Sequence, residues 1–227
     1  MDVVELANIH KGRNVAFNVF SKVFMDVPSQ ETDAFFKATA KHIEAIAMSS
    51  CNSDMHNGAG LLKTVFGTKD YESAELEPTR IDRSRDFTRL FALNTVSLYE
   101  SVYTSPEKLM KQDSWSAVKV FYLSNFFKRI DGDKTIEDHI SLELQFMGLL
   151  SKNIADCLEE EKFEAAETIM TTQLDFYNNH ILRWVPELCG KVIAEAEVLN
   201  TLFYPAYAYM LRGFLAEDSA FLTELAE

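Results

Sequence analysis

Recognisable active-site chemistry is largely missing from this sequence. Its three cysteines, Cys51, Cys157 and Cys189, stand far apart with no Cys-x-x-Cys pair. That argues against a zinc site or disulfide framework and suits a reducing compartment. None of the five histidines lies three residues after a glutamate, and neither His-Glu-x-x-His nor Gly-x-Ser-x-Gly occurs. The di-iron helix pair, the zinc-protease helix and the hydrolase elbow are therefore absent. Gly58-Ala59-Gly60-Leu61-Leu62-Lys63-Thr64 has no glycine directly before Lys63, so it fails as a phosphate loop. No cofactor is expected. Basic residues are outnumbered, 22 to 35, for a net charge of −13. A general nucleic-acid binder needs the opposite balance. The longest uncharged stretch, Val198 to Leu211, is too short to span a bilayer and contains Pro205, so no integral membrane segment is expected. The N-terminus Met1-Asp2-Val3-Val4-Glu5 lacks a signal-peptide pattern, and a cytoplasmic protein is expected. Eight glycines and five prolines are few for 227 residues.

What is present is apolar bulk: 47% hydrophobic residues, 17 of them Phe. Few helix breakers and many large side chains favour long helices. Stripes at i, i+3 and i+4 recur over 3–24, 30–48 (capped by Ser29), 59–66, 81–93, 113–129, 136–158, 162–183 and 187–199. Ser105-Pro106-Glu107 predicts a brief helix over 106–111. Trp184-Val185-Pro186 predicts a break, and a last helix follows Thr201. Polar segments predict loops at 51–60 and 68–80, and the apolar but stripe-free stretch 94–103 predicts an ordered loop. No segment alternates at period two. The expectation is an all-α protein of about ten helices, a single domain over 1–227. A small N-terminal unit at 1–67 and an exposed connection at 68–80 fit within it.

The stretch from Glu137 to Leu150 stands out. On a helix its apolar residues cover a very wide arc, so the helix is buried. His139 and Glu143 fall inside that arc at i, i+4, where helical side chains meet. They are expected to form a buried polar pair, because an unpaired buried charge is costly. Asp138 lies at the arc's edge.

Asp138-His139 with Glu143-Leu144 and Phe146-Met147 resembles the signature of the TorD/DmsD/NarJ family. Two further segments share the likeness. One is Arg85 to Phe91 followed by Leu98-Tyr99-Glu100-Ser101-Val102-Tyr103. The other runs from Phe176-Tyr177 through His180 to Trp184-Val185-Pro186, with Phe203-Tyr204 after it. The resemblance covers roughly 84–215. It departs from the family at Thr135-Ile136-Glu137, where a proline often precedes the Asp-His pair, and at Asn94-Thr95-Val96-Ser97, where the loop is Pro-rich. The resemblance implies an all-helical cytoplasmic chaperone, not an enzyme, of TorD-like fold. Such a chaperone binds the twin-arginine signal peptide or apo form of a molybdopterin oxidoreductase, assists cofactor insertion and delays export. Peptide-binding residues then map to Asp138 and His139, with Tyr99, Ser101 and Tyr103 beside them. A twin-arginine peptide has a basic end and an apolar middle, which an acidic protein with an apolar groove suits.

Two readings from other classes stay open on the residues alone. One is a helical enzyme centred on His139 and Glu143; the other is a structural helical subunit of a larger complex. Turnover by pure protein marks the first, a fixed stoichiometric partner the second.

Overall fold

The computed structural model describes residues 2–66, 80–93, 95–128 and 134–226. Its helices are α1 (Val3–Met25), α2 (Gln30–Ser49), α3 (Ser53–Phe66), α4 (Arg80–Phe87), α5 (Glu100–Thr104), α6 (Asp113–Ser124), α7 (Ile140–Glu159), α8 (Phe163–Phe176), α9 (Leu182–Leu199) and α10 (Phe203–Ala226). Wide π-turns continue α4 through Thr88–Ala92 and join α8 to α9 through Tyr177–Ile181. No strand occurs among the described residues; the only ladder element there is one antiparallel bridge, Tyr99 with His139. The all-α expectation holds.

The chain divides into two compact units. The first comprises 1–21, 98–185 and 221–227; the second comprises 22–97 and 186–220. The predicted connection 68–80 lies, Arg80 apart, outside the described residues.

In the first unit α7 is the central helix, and 13 of its 20 residues are buried. It packs along α8, where Phe146 and Phe176 meet edge to face at 4.9 Å. Phe121, Tyr122 and Phe127 close round them. Burying each such ring stabilises the fold by about 1.5–3 kcal/mol. Gln173 of α8 ties the pair, donating to the Met147 carbonyl at 2.9 Å and to Ser151 Oγ at 2.8 Å. Arg13 of α1 donates to Gln173 Oε1 at 2.6 Å and reaches His10 Nδ1 at 2.9 Å. In the second unit Phe36 packs on Phe203 and Tyr207, and Phe91 on Phe24, Phe87 and Tyr204. Arg83 is fully buried and pairs with Asp33.

Several local expectations change. Ser29 caps α2 as predicted, with Thr32 completing a reciprocal capping box. The predicted loop at 51–60 is helical from Ser53, because Asn52 Oδ1 accepts the Asp54 amide at 2.8 Å. Gly58 there is a packing residue: a Cβ would sit 2.5 Å from the Ala206 carbonyl oxygen and 2.3 Å from Met210 Cγ. The predicted helix 106–111 does not form. Lys108 and Lys111 adopt φ of 52° and 60°, left-handed values that interrupt a helix. The helix predicted to 129 ends at Ser124, just before Phe126 at φ 56°. The predicted break at Pro186 falls inside α9. The chain instead loosens at Leu182 (ψ −17°), the residue whose carbonyl the proline ring faces one turn later.

Candidate functional site

Three of the motif segments separated in sequence, Leu98 to Tyr103, Asp138 to Met147 and Phe176 to Val185, meet inside the first unit; Arg85 to Phe91 and Phe203-Tyr204 belong to the second. Leu98 to Ser101 runs beside Asp138 to Ile140. The Glu100 amide donates to the Asp138 carbonyl and the Ile140 amide to the Leu98 carbonyl, both at 2.9 Å. Asp138 Oδ2 accepts the Ser101 amide at 2.9 Å, satisfying a free N–H at the start of α5. Glu100 to Thr104 is thus a short helix, where the sequence predicts a loop. Tyr99 packs against the His139 ring at 5.0 Å, and Tyr103 against Trp184 at 5.2 Å. Trp115 of α6 donates to Glu137 Oε2 at 2.6 Å, pinning the approach to α7.

His139 is the N-cap of α7, not part of it. Its Nδ1 accepts the Ser141 amide at 3.2 Å and lies 2.6 Å from Ser141 Oγ, so it is an acceptor on both counts. The expected helical pairing of His139 with Glu143 takes another form. The Glu143 amide donates to the His139 carbonyl at 3.2 Å, while the Glu143 carboxylate turns to Trp184 Nε1 at 3.1 Å. The wheel that placed both on one face assumed helix from 136, and the chain is extended at His139.

Beneath α5 lies a cluster of acids. Glu100, Asp138 and Glu143 all have 0% exposure, and His139 has 5%. Glu100 Oε2 is 3.0 Å from His180 Nδ1, on the π-turn. Burial, then the neighbouring Glu100 charge, push the Glu143 carboxyl well above the ordinary carboxylate range; the Trp184 bond opposes them. Burial also raises Asp138, against its hydrogen bonds from Ser101. The Tyr122 phenol is raised by burial and then by the charges of Glu143, Glu100 and Asp138. The Tyr99 phenol is raised by partial burial and Asp138.

Two open cavities adjoin above this cluster, both lined by Ala117 and His180. The larger, about 980 Å³, runs between α6 and α8, with Val120, Phe121 and Leu174 as apolar wall and Asp175 among its polar residues. The smaller, about 320 Å³, lies over Glu100 and is lined by Glu107, Asp113 and Arg183 among others.

Of the sequence-predicted residues, Asp138, His139, Ser101 and Glu143 are buried, and Tyr99 and Tyr103 are half-buried at the ends of α5. Sequence pattern alone marks neither Glu100 nor the cavity wall of α6 and α8. The available signal was an acid flanked by aromatic and apolar residues in Leu98-Tyr99-Glu100-Ser101-Val102-Tyr103. No group of three or more His, Cys, Asp or Glu residues among those described has metal-binding geometry. Nor is any described helix long and apolar enough to cross a membrane.

Comparison with known proteins adds to this geometry. The family described as nitrate reductase delta subunit matches residues 52–190, more than half of the chain. The chaperone protein TorD of Photobacterium profundum is 30% identical over 149 residues, 64% of this chain and 66% of that protein. The match thus spans just under two thirds of that relative's length. TorD of Aliivibrio salmonicida is 28% identical over 162 residues, covering 68% and 71%. TorD of Aliivibrio fischeri is 35% identical over 85 residues, 37% of each chain.

Proposed function

This chain belongs to the nitrate reductase delta subunit family, that of the TorD chaperones, and from that premise we propose that it is a system-specific chaperone for maturation of a redox enzyme. It is a chaperone and not an enzyme, and it works in the cytoplasm. Its client is a molybdopterin-containing oxidoreductase. It binds the twin-arginine signal peptide or apo form of that enzyme, assists cofactor insertion and delays export.

The observation that carries this reading is the pair of adjoining cavities, one with an apolar wall and one acidic, which meet at His180 beside Glu100; Asp138, His139, Tyr99, Ser101 and Tyr103 line neither. The apolar middle of a signal peptide suits the α6–α8 groove, and its basic end suits the cavity over Glu100, Glu107 and Asp113. Tyr99 and Tyr103 lie outside the two cavities, packed on His139 and Trp184, and they support the short helix α5 at the edge of the smaller one. Asp138, His139 and Ser101 are buried. They serve by holding α5 and the start of α7 in place, with Asp138 on the Ser101 amide.

The experiment is titration of a labelled twin-arginine peptide against the wild type and Ala117→Trp, at two salt concentrations. Ala117 is exposed and lines both cavities, so a large side chain there blocks them without emptying the core. We expect Ala117→Trp to fold and to lose at least tenfold in affinity, about 1.4 kcal/mol. Higher salt should slow association more than it speeds dissociation. Unchanged binding by the variant sinks the groove assignment, and no binding by the wild type sinks the peptide reading.

A further inference from the structure

We propose that Glu100 and Glu143 hold one proton between them, and that this proton leaves when the cationic end of a peptide settles beside His180, so that peptide affinity rises with pH. The coupling rests on the peptide-binding reading above; the shared proton does not.

The geometry makes the case. Both carboxyls are fully buried. Each has one oxygen served by a donor: Glu100 Oε2 by His180 Nδ1 at 3.0 Å, Glu143 Oε2 by Trp184 Nε1 at 3.1 Å. The remaining oxygen of each, Oε1, meets no N–H or O–H donor. Their partners, His180 and Trp184, stand four residues apart on the same stretch of chain, and the Glu100 charge bears on the Glu143 carboxyl. Two carboxylates repel; a carboxyl and a carboxylate bond. One proton between the two groups therefore satisfies both unserved oxygens at once. It belongs mainly to Glu143, whose other partner is the neutral indole, while Glu100 has an imidazole that can share its charge.

The surroundings keep the proton in place. From α6 the pair faces the Tyr122 phenol, from the segment before α7 it faces Asp138, and Glu107 and Asp113 line the smaller cavity beside Glu100. The Asp138 charge adds to the cost of a second negative charge on the pair. The groups that can carry positive charge here are His180, on the π-turn, and the exposed Arg183 in the wall of the smaller cavity. A guanidinium or amine entering that cavity adds a further positive charge next to Glu100. It binds more strongly to the doubly ionised pair than to the protonated one. The proton then passes from Glu143 to the solvent buffer, and no other reactant is needed. By reciprocity, what expels a proton binds more tightly as pH rises, by up to tenfold per pH unit for one proton.

Two measurements test the two halves. Infrared difference spectra of the unliganded full chain, wild type minus Glu143→Gln, should show a protonated-carboxyl C=O band at neutral pH. No such band overturns the shared proton, whatever the peptide does. Calorimetric titration of a twin-arginine peptide in two buffers of different ionisation enthalpy should show net proton release by the wild type and none by Glu143→Gln. Binding without release overturns the coupling. Absence of all binding removes the coupling together with the peptide reading, and the infrared band still decides the proton. Should Glu143→Gln fail to fold, the wild type alone decides: its infrared spectrum at neutral pH minus that at high pH should show the protonated-carboxyl band, and its absence overturns the shared proton, while an unchanged band with and without bound peptide overturns the coupling.

Discussion

The two units treat their buried ionisable groups in opposite ways. The second unit pairs unlike charges. Arg83 meets Asp33 and lies 5.2 Å from the Phe203 ring, and Arg212 grips Asp54 through two bonds of 2.6 and 3.0 Å. The first unit, the buried Arg13 and the Glu100–His180 contact aside, suppresses charge. Burial and then the Arg13 charge press His10 down to about 3, so it stays neutral. Burial and then Glu100 hold Glu143 up, so it is neutral too. Paired charges tolerate a wide pH range. Groups kept neutral by burial tie stability, and anything bound beside them, to proton concentration. The suppressed charges sit in the unit that carries Asp138, His139 and Glu143.

The largest expected effect probes that contrast with acid. The folded His10 value lies below the ordinary 6.5. Its contribution to stability is therefore complete above pH 6.5 and is lost as pH falls towards 3. Unfolding by urea at pH 7, 5.5 and 4.5 should show this loss. His10→Gln, which keeps an acceptor for Arg13, should flatten it. An unchanged slope breaks the contrast on the side of the first unit.

Next comes Arg83→Met, which leaves Asp33 without its partner. It should cost about 1.5–3 kcal/mol in denaturant unfolding, as for a hydrogen bond between charged groups whose remaining partner still reaches water, with little change in slope against pH between 5 and 8. A cost below 1 kcal/mol would mean the second unit does not depend on that pair.

A smaller effect separates neutral from charged Glu143. Glu143→Ala should cost about 1–3 kcal/mol, as for a buried neutral hydrogen bond. Glu143→Gln keeps a neutral, hydrogen-bonding shape and should stay within about 1 kcal/mol of the wild type at pH 7. Because the folded value is raised, the acid form's stability is full below the unfolded carboxylate range and lost as pH rises through the folded value. Glu143→Gln should therefore gain on the wild type as pH rises from 5 to 9. A penalty of 3 kcal/mol or more for Gln would show an ionised Glu143.

The smallest effect lies in α3. Gly60 has open space at its Cβ position, and Gly58 has none. Gly60→Ala should raise stability by about 0.4–1 kcal/mol, while Gly58→Ala should lower it, both read from thermal midpoints.

Much of this was legible in the sequence because helical stripes depend on local spacing. The Ser29 cap, the long buried α7 and the all-helical character follow from it. What failed depends on partners far away in the chain. Gly58 looks like a loop residue until the close approach of Ala206 and Met210 is seen. Glu100 to Thr104 has no helical stripe, and its helix is held by Asp138. Asp138 sat at the edge of a helical wheel, yet it precedes the helix and is buried. The motif residues themselves are identified by resemblance, while the cavity wall of α6 and α8, which mixes Ser, Thr and Asn with Val120, Phe121 and Leu174, carries no local signature.

The π-turn at Tyr177–Ile181 has a consequence for insertion and deletion. Phe176 and Trp184 are eight residues apart, which in an unbroken α-helix would set them about 80° apart round the axis. A π-turn absorbs one extra residue, so they stand as if seven apart, within about 20°. Both therefore reach α7, Phe176 at Phe146 and Trp184 at Glu143. Removing the exposed Asn179 would let the turn close into ordinary helix and leave both anchors aligned. What would change is the wide arc on which His180 stands over Glu100. One residue of chain length thus separates a helix that merely folds from one that also presents an imidazole to the groove.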